Sequence, residues 1–184
     1  MEYDVVFRDI QYPRIELKTG KPVLVLPEGD NPQRVLARHK EWLERKLAII
    51  RECLEVAKDV RPVYRNPREF KSLVHAILAK LAQETGKSFQ QVFSRRMESK
   101  WASVSFRGNL TVNTLLSYLP EDLIEYVLFH ELTHLREKRH NGEFFRLVSL
   151  RYPDYENRER ELLTWWFVVQ KNAMGLVVRK KPEK

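Results

Sequence analysis

Cysteine is almost absent from the chain. With Cys53 alone among 184 residues, no internal disulfide can staple the fold and a cysteine-rich structural zinc cluster is excluded. Such a composition fits a reducing, cytoplasmic setting, which is the location expected. Long apolar runs are missing too: no stretch approaches the length of a bilayer span, and "MEYDVVFRDIQYP" has neither the basic start nor the apolar core of a signal peptide, so no membrane partner is expected. Internal repeats and low-complexity segments are lacking as well. Acidic residues are the minority charge, 25 against 33 Lys plus Arg, for a formal net charge of +8 and a pI near 9.6. A basic surface attracts polyanions, so nucleic acid is a candidate partner, although the cations are spread along the chain rather than gathered in one tract.

What is present is enough apolar material for one core, 43% of residues against 32% charged, and one domain over residues 1–184 is expected. "YDVVFRDI" and "RIELKTGKPVLVLP" are rich in β-branched residues around a Gly-containing turn and predict an N-terminal β unit over 1–30. From Pro32 to about Asp59, apolar residues recur at helical spacing among charges. "VRPVYRNP" breaks the chain before a second helix, Pro67 to Gln83, closed by Gly86. Strands are predicted at about 91–97 and 108–115, and then "PEDLIEYVLFHELTHLREK" reads as a helix with acidic residues in its first turn and basic ones in its last. Helices at about 142–151 and 155–171 complete a core over 91–171, before a basic tail at 177–184. Strands first and helices last argue an α+β fold.

The chemistry lies in "FHELTHLREKRHNGEFF", Phe129 to Phe145. Residues four apart share a helix face, so His130 and His134 can aim ring nitrogens at one ion, while Glu131 beside the first reaches a water on that ion without occupying a ligand position. That is the mechanical content of H-E-x-x-H. Ile124, Leu128, Leu132 and Leu135 supply an apolar stripe to bury the helix, leaving Leu123, Val127, His130 and His134 to line the site.

A catalytic zinc takes three protein ligands and keeps one open position. His140 is the favoured third. On a continuous helix it would lie far around from His134 and about 9 Å further along, so the helix must end between them. Glycine, only six in the chain, is missing from that interval; Glu137 stands where metzincin proteases place Gly, which excludes that class. Glu143, Glu156 and Glu159 remain as alternative third ligands. If His140 is the ligand, Asn141 and Glu143 are candidates to orient an imidazole.

The run from Arg95 to Arg158, "RRMESKWASVSFRGNLTVNTLLSYLPEDLIEYVLFHELTHLREKRHNGEFFRLVSLRYPDYENR" with its flanks "YPRIELKTGKPVLVLP" and "HKEWLERKL", resembles the YgjP-like metal-dependent hydrolases, relatives of the WLM and SprT-like metalloproteases. The resemblance implies a zincin-like fold, with a small sheet packed on the metal-bearing helix and a helical C-terminal half. It implies His130, His134 and His140 as ligands of one Zn2+ per chain, and Glu131 as general base. It also implies that an extended peptide or protein substrate adds to an edge strand at Asn109 to Leu115, with Asn113 touching its backbone. Where the family shows a W-G-S-C-like segment, this chain has "WASVS", and Trp101 is carried as a substrate contact.

A zinc on three neutral imidazoles brings the pKa of its water to about 7, and Glu131 takes the proton. Tyr126, Tyr155 and Arg158 are candidate oxyanion donors. The expected function is therefore a zinc peptidase. A different class competes: a basic nucleic-acid module with a structural metal, in which Arg95, Arg96, Lys100 and Arg107 meet phosphates while Trp101 and Phe106 stack bases. SprT-like and WLM proteases cut DNA-attached proteins, so the resemblance allows the two to be joined.

Overall fold

The computed structural model describes residues 2–18 and 21–178. The Gly20 turn and residues 179–184 of the basic tail lie outside them. The chain forms two compact units, residues 1–59 and 60–184. In the first, β1 (Asp4–Phe7), β2 (Arg14–Lys18) and β3 (Lys21–Leu26) form a sheet of order β1-β3-β2, with β1 parallel and β2 antiparallel to β3. Leu24, Leu26 and Val35 are its buried cluster. Helix α1 (Pro32–Val56) starts where Asn31 accepts from Gln33 N at 2.9 Å, with Pro at the first helical position where its missing N–H costs nothing.

In the second unit, α2 (Pro67–Thr85) opens with a reciprocal cap: Asn66 accepts from Glu69 N at 2.9 Å and Glu69 accepts from Asn66 N at 3.0 Å. Gly86, at φ +67°, ends it. Phe70, Val74, Ile77 and Leu81 form its buried stripe, each contributing about 1.5–3 kcal/mol of burial. The second sheet contains β4 (Val92–Arg95), β5 (Ala102–Val104) and β6 (Leu110–Asn113), in the order β4-β6-β5. β6 pairs parallel with β4 and antiparallel with β5. This corrects the expectation that residues 109–115 form the edge: β6 is central and β5 is an edge.

A 3-10 turn (Thr114–Tyr118) leads into α3 (Glu121–Thr133), and Arg65 secures that junction by donating to Ser117 O at 3.1 Å and Leu119 O at 2.5 Å. α3 packs on α2, β5, α4 (Gly142–Ser149) and α5 (Tyr155–Val178). It is buried nearly all round, with Leu123, Ile124, Val127 and Leu128 all inside, so the site lies on a core helix rather than on a surface one. Glu125 on α3 meets Lys80 of α2 at 3.0 Å and Arg151 at 2.7 Å, and Arg151 also pairs with Glu84. The observed fold is α+β. None of the described helices is long and apolar enough to cross a membrane.

Candidate metal centre and hydrolytic site

α3 stops at Thr133, with His134 as its C-cap, just before the His134–His140 interval, so the basic residues expected in its last turn lie beyond it. Arg136 N and Glu137 N both donate to Thr133 O, at 2.9 and 3.0 Å, which tightens the last turn. Glu137, standing where a glycine was missed, builds the reversal with its own groups. Its side chain accepts from Arg139 N at 3.1 Å, and its carbonyl lies 3.0 Å from His134 Nδ1. Asn141 then caps α4 by accepting from Phe144 N at 3.0 Å.

The result is convergence. His140 Nε2 lies 2.9 Å from His130 Nε2 and 3.1 Å from His134 Nε2, and the three residues are a group whose ligand atoms could share a metal ion. Two nitrogens bound at about 2.0–2.1 Å in tetrahedral geometry stand roughly 3.3 Å apart, so the spacing suits one ion. The outer ring nitrogens support that fit. His134 Nδ1 lies 3.0 Å from the Glu137 carbonyl, which can only accept, and His130 Nδ1 faces Glu159 Oε1 at 3.5 Å, so in both rings Nε2 is the nitrogen turned inward. Burial lowers the pKa of His134, and burial with the neighbouring His130 lowers that of His140. Both shifts favour the neutral imidazole that a metal requires.

Phe144 is the floor of this centre. It is fully buried, with its ring centroid 4.5 Å from His134, 4.8 Å from His130 and 4.7 Å from His140. In the sequence it reads as an ordinary core residue of a short helix, and nothing in its spacing marks it as the contact shared by three ligands.

The three histidines and Glu131 line a cleft of about 900 Å³ whose facing wall is β5 and its turn to β6. Glu131 is only 9% exposed, and its Oε2 accepts from Val104 N at 2.9 Å. Burial pushes the Glu131 carboxyl above its ordinary pKa, opposed by His130, the Val104 amide and Lys100. Val104 was missed because a backbone donor has no side-chain signature. Its amide is available because β5 is an edge: Ser105 N donates to Asn109 O and Trp101 O accepts from Asn113 N, so the alternate residue Val104 faces away from β6. Val104→Pro therefore removes no ladder bond. Activity is expected to fall about 10–100-fold, the worth of one hydrogen bond to a charged group, with an unchanged circular dichroism spectrum as the control.

Several expected contacts are placed elsewhere. Asn113 is fully buried and touches no substrate space. It donates to Met97 O at 2.9 Å and Lys100 O at 2.7 Å and accepts from Met97 N and Leu115 N, fastening the β4–β5 connection to β6. Asn113→Ala is expected to cost about 3 kcal/mol or more by stranding these backbone groups, read as a lower urea midpoint. Asn141 is a helix cap and orients no imidazole. Glu143 is exposed and binds Arg146 at 2.7 and 2.8 Å rather than a histidine.

Of the three oxyanion candidates, Tyr126 borders the cleft, but its hydroxyl donates to Glu159 at 2.6 Å. Tyr155 stacks on Phe145 and reaches Glu156 at 3.4 Å, and Arg158 pairs with Asp154 at 3.2 Å and Asp122 at 3.4 Å. Trp101 does line the cleft, edge-on to Trp166 at 4.9 Å. Glu156 is exposed, and Glu159 sits on the Nδ1 side of His130 rather than among the three Nε2 atoms. Of the basic cluster, Lys100 and Arg107 border the cleft together with Lys138, which lies 3.7 Å over the exposed Phe106 ring; Arg95 and Arg96 are exposed.

A family model described as the YgjP-like, metallopeptidase domain matches residues 56–164. The chain belongs to the YgjP-like metallopeptidase family. Membership implies a divalent metal. This YgjP-like chain is also 34% identical over 56 residues to the UTP pyrophosphatase of Escherichia coli (strain K12), a match spanning 30% of the chain and about a third, 34%, of that relative's length. Among solved structures it is similar to two metallopeptidase zymogens. Abylysin of Pyrococcus abyssi has a TM-score of 0.42 and 29% identity, over 48% of this chain and 88% of that one. Jannalysin of Methanocaldococcus jannaschii has a TM-score of 0.40 and 30% identity, over 54% and 90%.

Proposed function

We propose that this metallopeptidase is a zincin-type zinc enzyme of the H-E-x-x-H kind, with His130, His134 and His140 holding one Zn2+ and Glu131 as general base. The observation that carries the reading is the convergence of three Nε2 atoms beside a buried carboxylate, in a cleft bounded by an edge strand. Three neutral nitrogen donors leave the ion its full charge, and the set contains no thiolate, which suits a catalytic rather than a closed structural site. When bound, zinc supplies Lewis acidity for a carbonyl and lowers the pKa of water to about 7.

The chain's own residues do the rest. The Val104 amide fixes one oxygen of Glu131, leaving the other to take a proton from the attacking water and return it to the departing amine. A carboxyl raised by burial is the better proton carrier near neutrality. The outer edge of β5 offers backbone groups to an extended peptide, and Trp101 and Phe106 border its path.

A second reading has its own support. The Escherichia coli relative is a UTP pyrophosphatase, and Lys100, Arg107 and Lys138 on the cleft wall are suited to phosphate oxygens. In that reading the same base and metal hydrolyse a phosphoanhydride. Parallel incubation of the zinc-loaded protein with an unfolded polypeptide and with UTP separates the two. New peptide termini by mass spectrometry support the peptidase, whereas pyrophosphate by phosphorus NMR with intact polypeptide supports the second reading and overturns the first.

A further inference from the structure

Behind the ligand His130 lies a carboxylate that joins two helices at one atom. Glu159 on α5 places Oε1 3.5 Å from His130 Nδ1, and the same oxygen accepts the Tyr126 hydroxyl at 2.6 Å. Tyr126 precedes His130 by four residues on α3, so it rises from the same helix face one turn earlier. It is completely buried, whereas the Glu159 side chain is 45% exposed. A half-exposed glutamate has rotamer freedom to lose; a rigid phenol holds it against the imidazole. The other helix ligand, His134, is oriented by a neutral carbonyl, that of Glu137. The two ligands thus receive different electrostatic support.

We infer that Glu159, clamped by Tyr126, is the positioning residue of the metal centre: it fixes His130 as the Nδ1–H tautomer and strengthens its Nε2 as a donor. This rests on the metal-site reading above and extends it to residues outside the H-E-x-x-H segment. A carboxylate accepting from Nδ1–H fixes the ring's rotation and adds electron density to the nitrogen that faces the ion. Removing the carboxylate removes both effects, replacing it by an amide keeps an acceptor without the charge, and removing the phenol hydroxyl leaves the carboxylate unclamped.

The test is Zn2+ affinity, measured by competition with a chromophoric chelator on the full chain, for wild type, Glu159→Ala, Glu159→Gln and Tyr126→Phe. Glu159→Ala is expected to weaken zinc about 10–100-fold, with partial rescue in Glu159→Gln and a smaller loss in Tyr126→Phe. Histidine-selective 15N NMR of the metal-free proteins supplies a readout that a purely structural role would not move: His130 is expected as the Nδ1–H tautomer in wild type and as a tautomer mixture in Glu159→Ala. If wild type binds zinc and both Glu159 variants bind it within about threefold of wild type, with the His130 tautomer unchanged, the inference is overturned and the metal-site reading stands. If wild type takes up no zinc, both fall together.

Discussion

Glu131→Gln is expected to lower hydrolysis by about 10²–10⁴-fold while zinc uptake stays at the wild-type level. Glutamine matches the shape of Glu131, and its amide oxygen can still accept from Val104 N, so the cleft wall keeps its geometry. It cannot take a proton and so cannot return one, which is the proton transfer assigned to this side chain. The charge removed is nearly buried, and burial holds the carboxyl above its ordinary pKa. A carboxyl whose folded pKa is raised favours the fold below its unfolded pKa and loses that contribution as pH rises through the folded value. The metal-free Glu131→Gln protein is therefore expected to be at least as stable as metal-free wild type at neutral pH, with the difference vanishing in acid. Lost activity beside retained stability separates a missing base from a damaged fold.

Removing a ligand has the other large effect. His140→Ala is expected to weaken zinc about 10²–10³-fold, since ~10–16 kcal/mol shared over four ligands is about 3 kcal/mol each. Hydrolysis should fall with occupancy and recover in part at high zinc. His140 is the informative histidine because it lies outside α3, on the turn before α4, and its position depends on the Glu137 reversal. Alanine there leaves α3 intact, so thermal unfolding of the metal-free protein should change little. Wild-type zinc affinity in His140→Ala would return the third position to a carboxylate, and Glu159 would be the first to consider.

The site-bearing helix was legible because its signal is local: two histidines four apart, a glutamate beside the first, and a third histidine that no continuous helix could bring back. Its acidic first turn follows from the same short-range rules, but its end at Thr133 comes earlier than the basic run after His134 suggested. What could not be read depends on long-range pairing. β5 has three residues, too few for periodicity to show, and whether β6 is central or at an edge depends on which strands come to flank it. That order moved Asn113 from a supposed substrate contact to a buried clamp on the connection before β5. The partners of the site were hidden for related reasons. Val104 acts through its backbone and Phe144 looks like any core aromatic until three imidazoles are found around it, while Glu159, read as an alternative third ligand, stands instead behind His130. The basic composition was visible at once, but a net charge names no partner; only the placement of Lys100, Arg107 and Lys138 on the cleft wall gives it a location.

The central claim is that a Glu131-dependent, zinc-loaded cleft cuts peptide bonds. Its most direct test loads wild type and Glu131→Gln with one zinc per chain and exposes both to a diverse peptide mixture, with new termini read by mass spectrometry. The account predicts cleavage by wild type alone, with a side-chain preference at the cut. Equal cleavage by both proteins, or by neither with zinc bound, would contradict it.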